Sequence, residues 1–274
     1  AKRKKLFIGN APDTFLGGGA QLSKEFVDSG KIGDVLTGNF IFAFPGAEDF
    51  HPNPESWYLE GGGPVLDMGP YFFTAMVNLL GPAKNITSRG VKFSDKRQYK
   101  AGPKKGNHFD VKIPTSYMFS VEFLNNAVIQ GFISFDVQNH MRNHIEIYGS
   151  HGSMIVPDPN MFGGSVYLCK KLGQTWKEYK TGKMHLGKIN IRSKSLRANE
   201  SPINANYRGA GLAEMAYCIE NRKLHRCNGE LSLHVLDIIQ STMKASISGK
   251  KQKIKTTCKI PKRFSQKEIK KILK

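Results

Sequence analysis

The sequence predicts an α+β fold, a mostly antiparallel sheet with helices packed on one face. Three observations point there. Between residues 86 and 168, short runs of alternating apolar residues follow one another through tight turns. A long apolar helical segment stands before them, and two further helical segments stand after them.

In chain order, residues 6–9 are expected as a short strand and residues 21–29 as a helix ended by Gly30. Residues 35–44 alternate as a strand, with Leu36, Gly38, Phe40, Phe42 and Phe44 on one face and Thr37, Asn39 and Ile41 on the other. The helix expected over 64–80 is carried inward by Phe72, Phe73, Met76, Val77, Leu79 and Leu80, and Gly81-Pro82 stops it. Strands follow at 86–93, 116–123, 127–136, 143–149, 153–156 and 165–168. Asn125-Asn126 makes a hairpin turn between two of them, because Asn tolerates positive φ. The polar stretch 182–206 is expected as a loop, and helices return at 210–221 and 231–248.

With 274 residues and 39% apolar content, the chain is long enough to bury a substantial core. No apolar run approaches the roughly 20 residues that span a bilayer. The basic opening Ala1-Lys2-Arg3-Lys4-Lys5 is followed by only three apolar residues, so no signal peptide and no membrane partner are expected. Cys169, Cys218, Cys227 and Cys258 form no Cys-x-x-Cys pair, which fits a reducing cytoplasm and neither a zinc site nor a disulfide framework. The histidines show no ligand spacing, and no metal is expected. The sequons at Asn85 and Asn199 are discounted in the absence of a secretion signal.

The net charge of +19 raises the question of nucleic acid. Its distribution answers against it. Residues 250–274 hold eleven Lys or Arg against the single acid Glu268, and residues 2–5 add four more, so most of the excess lies at the two ends. The body carries no basic stripe interleaved with aromatics and no nucleic-acid-binding signature. Residues 251–274 are therefore expected as a solvated basic tail.

The most telling motif is Gly61-Gly62-Gly63-Pro64-Val65-Leu66-Asp67-Met68-Gly69-Pro70-Tyr71. It sets a carboxylate and a phenol four residues apart at the start of an apolar helix, hence on one helical face, beside a glycine-lined backbone that admits a ligand. That is a proton-transfer pair in outline. The same residues also fit a buried helix in which Asp67 caps the N-terminus and Tyr71 packs in the core.

This motif does not stand alone. Ala11-Pro12-Asp13-Thr14-Phe15-Leu16-Gly17-Gly18-Gly19, Gly30-Lys31-Ile32-Gly33, His51-Pro52-Asn53-Pro54, Ile145-Glu146-Ile147-Tyr148-Gly149, Pro157-Asp158-Pro159-Asn160, Tyr207-Arg208-Gly209 and His234-Val235-Leu236 occur in order along the chain. Together they resemble the glucose-fructose oxidoreductase/inositol dehydrogenase (Gfo/Idh/MocA) family over about residues 6–249. The resemblance implies an NAD(P)-dependent oxidoreductase acting on a CH–OH group of a sugar, polyol or similar substrate. In it a Rossmann domain holds NAD or NADP, and the following α+β domain supplies the substrate pocket and a homo-oligomer interface on the open sheet face.

The resemblance places Asp67 at the family carboxylate, Tyr71 at the acid/base position and Pro12 near the nicotinamide. His51, Trp57, Gly62 and Gly63 are candidates to line the substrate pocket. A Gly-x-Gly-x-x-Gly turn between strand and helix and the family's Glu-Lys-Pro motif are not found. Residues 1–30 are accordingly expected as a remnant of the dinucleotide-binding domain, 31–250 as the substrate-binding and oligomerisation domain, and the chain as a fragment inactive on its own. A non-catalytic binding or scaffold protein is the alternative.

Overall fold

Glycines and prolines set the helix ends, and alternation sets the strands. The computed structural model describes residues 1–192 and 203–272. Its elements are α1 (Gly18–Asp28), β1 (Val35–Ala43), α2 (Pro64–Leu80), β2 (Ala83–Val91), β3 (Lys96–Gln98), β4 (His108–Asp110), β5 (Ser116–Phe123), β6 (Val128–Ser134), β7 (Ile145–Gly149), β8 (Gly152–Val156), β9 (Val166–Cys169), β10 (Lys177–Tyr179), β11 (Ile191–Arg192), β12 (Ile203–Asn204), α3 (Ala210–Glu220), α4 (Gly229–Ser248), β13 (Gln252–Lys253) and α5 (Gln266–Ile272). Short 3-10 turns at Lys2–Lys4, Thr14–Leu16, Ala47–Asp49 and Pro54–Tyr58 fill the connections. Among the described residues, no helix is long and apolar enough to cross a membrane.

One large mixed sheet of nine strands organises the chain, in the order β10-β9-β8-β7-β1-β6-β5-β2-β13. β1 lies parallel to β6 and antiparallel to β7. The remaining neighbours in this sheet are antiparallel. β5 and β6 form a hairpin through Asn125-Asn126, where Asn126 takes φ 69°.

Alternation buries one sheet face against the helices. Phe40 of β1, Phe119 and Val121 of β5, Ile129 and Ile133 of β6 and Ile147 of β7 meet Phe72, Phe73 and Met76 of α2 and Val235 and Ile238 of α4. The rings interlock: Phe40 stacks on Phe72 at 5.1 Å and meets Phe119 edge-on at 5.4 Å. Gly131 makes room for this, since a Cβ there would fall 2.1 Å from the Phe119 ring. Phe15, Leu16 and Phe26 of the α1 region belong to the same core.

The other sheet face is open. Asn39, Ile41, Met118, Ser120, Gln130 and Phe132 line a depression of about 740 Å³ there.

The structure departs from the sequence reading in four places. Residues 6–9 form no strand: Gly9 makes an isolated bridge to Asn228, and Leu6 and Ile8 are 66% and 56% exposed. A strand needs a run of pairs along an edge, and this segment makes only the one bridge, at Gly9. Leu36 is 55% exposed rather than aligned with Phe40, because the β1/β7 register shifts between Val35 and Thr37 and reverses the alternation. Within 182–206, read as loop, β11 pairs with β12, while residues 193–202 lie outside the described residues.

The lysine-rich C-terminal segment is the fourth. It is a strap, not a solvated tail. β13 pairs with the edge of β2, Ile254 is buried, and Phe264 packs on the core. Its lysine side chains face water while the backbone binds the fold. Asp237 of α4 holds the strap, its Oδ2 accepting from Lys255 N at 2.8 Å, Thr256 N at 2.9 Å and Thr256 Oγ1 at 3.0 Å.

Burial alone would raise the Asp237 carboxyl, but the Thr256 amide and hydroxyl, the Lys255 amide and Ser241 outweigh it and hold it below the usual carboxylate value. Its folded pKa is depressed, so its contribution is present above the unfolded value and is lost as pH falls through the folded one. Asp237→Asn is expected to cost about 1–3 kcal/mol at neutral pH. The gap in melting temperature between variant and parent should narrow as pH falls from about 5 to 3. Circular dichroism melts across that range check it; a constant gap would mean that Asp237 is not the acid-sensitive clip.

A second anchoring cluster escaped the sequence reading. Arg97 of β3 bonds Pro45 O at 2.9 Å, Glu48 Oε1 at 2.7 Å and Phe135 O at 2.9 Å, pairs with Asp136, and lies over the Tyr58 ring. It ties the β3–β4 ribbon to the ends of β1 and β6. The only signal for it in sequence was one arginine among lysines.

Candidate functional site

The glycine run before α2 is needed for close approach. Gly63 sits at the helix N-cap with φ 102°, a conformation that favours glycine, and a Cβ on Gly62 would lie 2.5 Å from Ser56 O. The run thus folds the Pro54–Tyr58 turn onto the start of α2 and carries Trp57 to Asp67. Pro64 occupies the first helical position, where its missing N–H costs nothing.

Asp67 is not the cap. No side chain caps this helix, and the Asp67 amide already bonds Gly63 O at 3.0 Å. Its carboxyl is half-buried, and burial pushes its pKa above the ordinary value while a hydrogen bond from the Trp57 side chain opposes that shift. Trp57 in turn meets the His51 ring edge-on at 4.6 Å. His51 Nδ1 accepts from Asn53 N at 3.1 Å, which fixes the ring. Asp67, Trp57, His51, Gly62 and Gly63 therefore gather at the N-terminal end of α2.

Tyr71 lies one turn further on, about 5–6 Å along the same face. It opens into a cavity of about 500 Å³ that Asn10, Ala11, Asp13, Arg208 and Leu212 also line. Pro12 is not in that cavity. With Pro70 and Thr74 it lines a neighbouring one of about 210 Å³, and Asn10 and Ala11 separate the two. The sequence-predicted residues thus fall into two adjoining groups joined by the Asp67–Tyr71 helix face.

Two residues of the cavity were missed. Arg208 lies over the Tyr71 ring, 5.4 Å from its centroid, and its Nη2 donates to Asn160 O at 2.9 Å and Asn160 Oδ1 at 2.6 Å. Asp13 Oδ2 accepts from Gly209 N at 3.2 Å and Gly211 N at 2.9 Å, so it caps α3 from 198 residues away. Gly211 is needed for that approach, since a Cβ there would meet Asp13 Cβ at 2.7 Å. The signal for Arg208 was its place in the Tyr-Arg-Gly triplet before a helix; nothing local marked Asp13 as a cap.

Gly17-Gly18-Gly19 do not form a phosphate cradle. A Cβ on Gly17 would lie 2.2 Å from Phe162 O, and Gly19 N already donates to Phe162 O at 3.0 Å. The N-terminus of α1 is covered by protein backbone, and the pyrophosphate of a dinucleotide does not fit there.

A sheet layered under helices, with an acid and a phenol on one helix face beside a half-enclosed cavity, defines an α+β domain with a candidate ligand site. The profile of the GFO/IDH/MocA C-terminal domain matches residues 20–155, and this part of the chain belongs to that family.

Solved structures share the fold at low identity. A NAD binding oxidoreductase from Klebsiella pneumoniae superposes with TM-score 0.71 at 16% identity, covering 93% of this chain and 68% of that one. Levoglucosan dehydrogenase in complex with NADH and L-sorbose gives 0.67 at 15% identity, covering 89% and 64%. A super-repressor mutant of Gal80p from Saccharomyces cerevisiae gives 0.65 at 14% identity, covering 92% and 66%. The chain thus spans about two thirds of the length of the structures it resembles. No curated protein matches it.

Proposed function

We propose that this chain is the substrate-binding part of an NAD(P)-dependent oxidoreductase that oxidises a CH–OH group of a sugar, polyol or related compound. The observation that carries the reading is the Asp67–Tyr71 pair on one face of α2, with Tyr71 open to the cavity. NAD or NADP, held by residues other than the covered α1 terminus, supplies the hydride acceptor.

Within this chain, Tyr71 exchanges the proton of the substrate hydroxyl. Asp67, oriented by the Trp57 hydrogen bond, holds the reacting group in place. The exposed apolar side chains of Leu212, Leu233 and Leu236 border the two cavities, and Leu6 and Ile8 line a third depression that Leu233 shares, a surface suited to a covering nucleotide-binding domain. The test is hydride transfer by the protein with such a domain and its loss on changing Tyr71; the chain by itself is expected to be inactive.

A homo-oligomer is proposed through the open sheet face, where Met118 and Val128 are 44% and 37% exposed. Sedimentation of the purified chain is expected to show a dimer or larger species, and a monomer at high micromolar concentration overturns this. The four cysteines are unpaired, which supports a reducing, cytoplasmic setting.

A second reading is a non-catalytic binding protein. The likeness to Gal80p and the covered α1 terminus favour it. Absence of hydride transfer together with retained small-molecule binding would select it.

A further inference from the structure

We propose that the ligand of the Tyr71 cavity carries a carboxylate, and that Arg208 reads it: the substrate class is a sugar acid, an aldonate or uronate, rather than a neutral sugar or polyol. The inference rests on the substrate-site reading above.

Three observations carry it. First, Arg208 is exposed and anchored on one side only. Asn160 takes both donors of Nη2, the Tyr71 ring supports one face, and Nε and Nη1 bond to no described residue. Arg208 lines the cavity that Tyr71 opens into, so a bound ligand meets those donors there. A guanidinium whose remaining donors are held beside a cavity suits a carboxylate oxygen.

Second, the nearby acids are already occupied. Asp13 Oδ2 is bonded by two amides at the α3 N-terminus. Asp158 Oδ1 accepts from Asn160 N at 2.9 Å, and its Oδ2 stands 4.0 Å from His144 Nε2. Burial favours the neutral form of Asp67. Among the described residues, no acid pairs with Arg208.

Third, the geometry fixes which end of the ligand goes where. With the guanidinium 5.4 Å from the phenol ring, a carboxylate on Arg208 sets a hydroxyl-bearing carbon of the same molecule beside Tyr71. The volume of about 500 Å³ accommodates a six-carbon acid.

The test compares D-gluconate with D-glucitol, which has the same carbon skeleton without the carboxylate, by NMR titration of the purified chain while following the arginine Nε–H signals. Gluconate is expected to bind about tenfold or more tightly than glucitol, to shift the Arg208 signal, and to lose its advantage as salt rises. Arg208→Gln should abolish the preference. Arg208→Lys should keep part of it, and Asn160→Ala, which frees the guanidinium without removing its charge, should weaken it. Arg208 is exposed, so unchanged melting temperatures are expected and separate loss of binding from loss of fold.

Equal affinity for the two compounds, or a preference that survives Arg208→Gln, overturns the assignment and leaves the dehydrogenase reading standing. Failure of both to saturate overturns both.

Discussion

Tyr71→Phe is expected to lower kcat of the complete oxidoreductase by about 10² or more while leaving the melting temperature within a degree or so of the parent. The argument is local. The phenol ring is half-buried, packs partly against the core, and lines the cavity with Arg208 over its face. Phenylalanine keeps the ring and its contact with Arg208 and removes only the hydroxyl proposed to exchange a proton. KM should change less than kcat, since the remaining cavity residues still bind the substrate. Steady-state kinetics of parent and variant decide it. Unchanged kcat would return Tyr71 to a packing role and leave Asp67 without a proton-transfer partner on this helix.

Glu214→Ala is expected to cost about 3–5 kcal/mol, the largest stability loss predicted for a single site here. Glu214 is fully buried and takes Arg226 through Nη1 at 2.6 Å and through the Arg226 amide at 3.1–3.2 Å. Arg226 also holds the C-terminal strap, donating to Lys262 O at 2.6 Å and Arg263 O at 3.0 Å, with its guanidinium 4.0 Å from the Phe264 ring centroid. Removing Glu214 leaves a buried charge with the partly buried Glu268, 3.2 Å from Arg226 Nη2, as its remaining carboxylate partner among the described residues. The melting temperature should fall by roughly 10 °C. Glu214→Gln, which keeps the shape and one acceptor, should lose less. Differential scanning calorimetry of the three proteins checks the order, and an alanine variant as stable as the parent would show that the strap does not depend on this pair.

What could be read from the sequence was what local chemistry decides. α2 falls on 64–80 as expected, because Gly63 and Gly81 both take positive φ at its ends and Pro64 occupies its first turn. β5 falls on 116–123, where the alternation is uninterrupted. The gathering of Asp67 with Trp57 followed from the glycine run, which required a close backbone approach whatever the rest of the fold.

The losses have a common cause: each depended on partners far along the chain. Asp13 caps a helix that begins almost two hundred residues later, and nothing near Asp13 records that. Arg208 acquires meaning only where α2 and the 157–160 loop meet it. The lysine-rich strap looked solvated because its side chains are, yet its backbone satisfies Asp237 and the edge of β2. In β1 a single register shift at its start turned Leu36 outward, which no period-2 pattern anticipates.

The placement of β1 has a consequence for how the chain is made. β1 lies in the interior of the nine-strand sheet, yet its Thr37 waits for Val128 on one side and Tyr148 on the other. A ribosome adds residues one at a time, so β1 emerges and remains without either neighbour until β6 (Val128–Ser134) has been synthesised, with β7 (Ile145–Gly149) following. During that interval both edges of an aromatic-rich strand are open to other nascent chains. Pairings of such long sequence separation also slow folding in the finished molecule. The interior of this sheet thus closes only through partners made 91 residues or more after β1, in contrast to the more locally assembled β7–β8–β9–β10 meander.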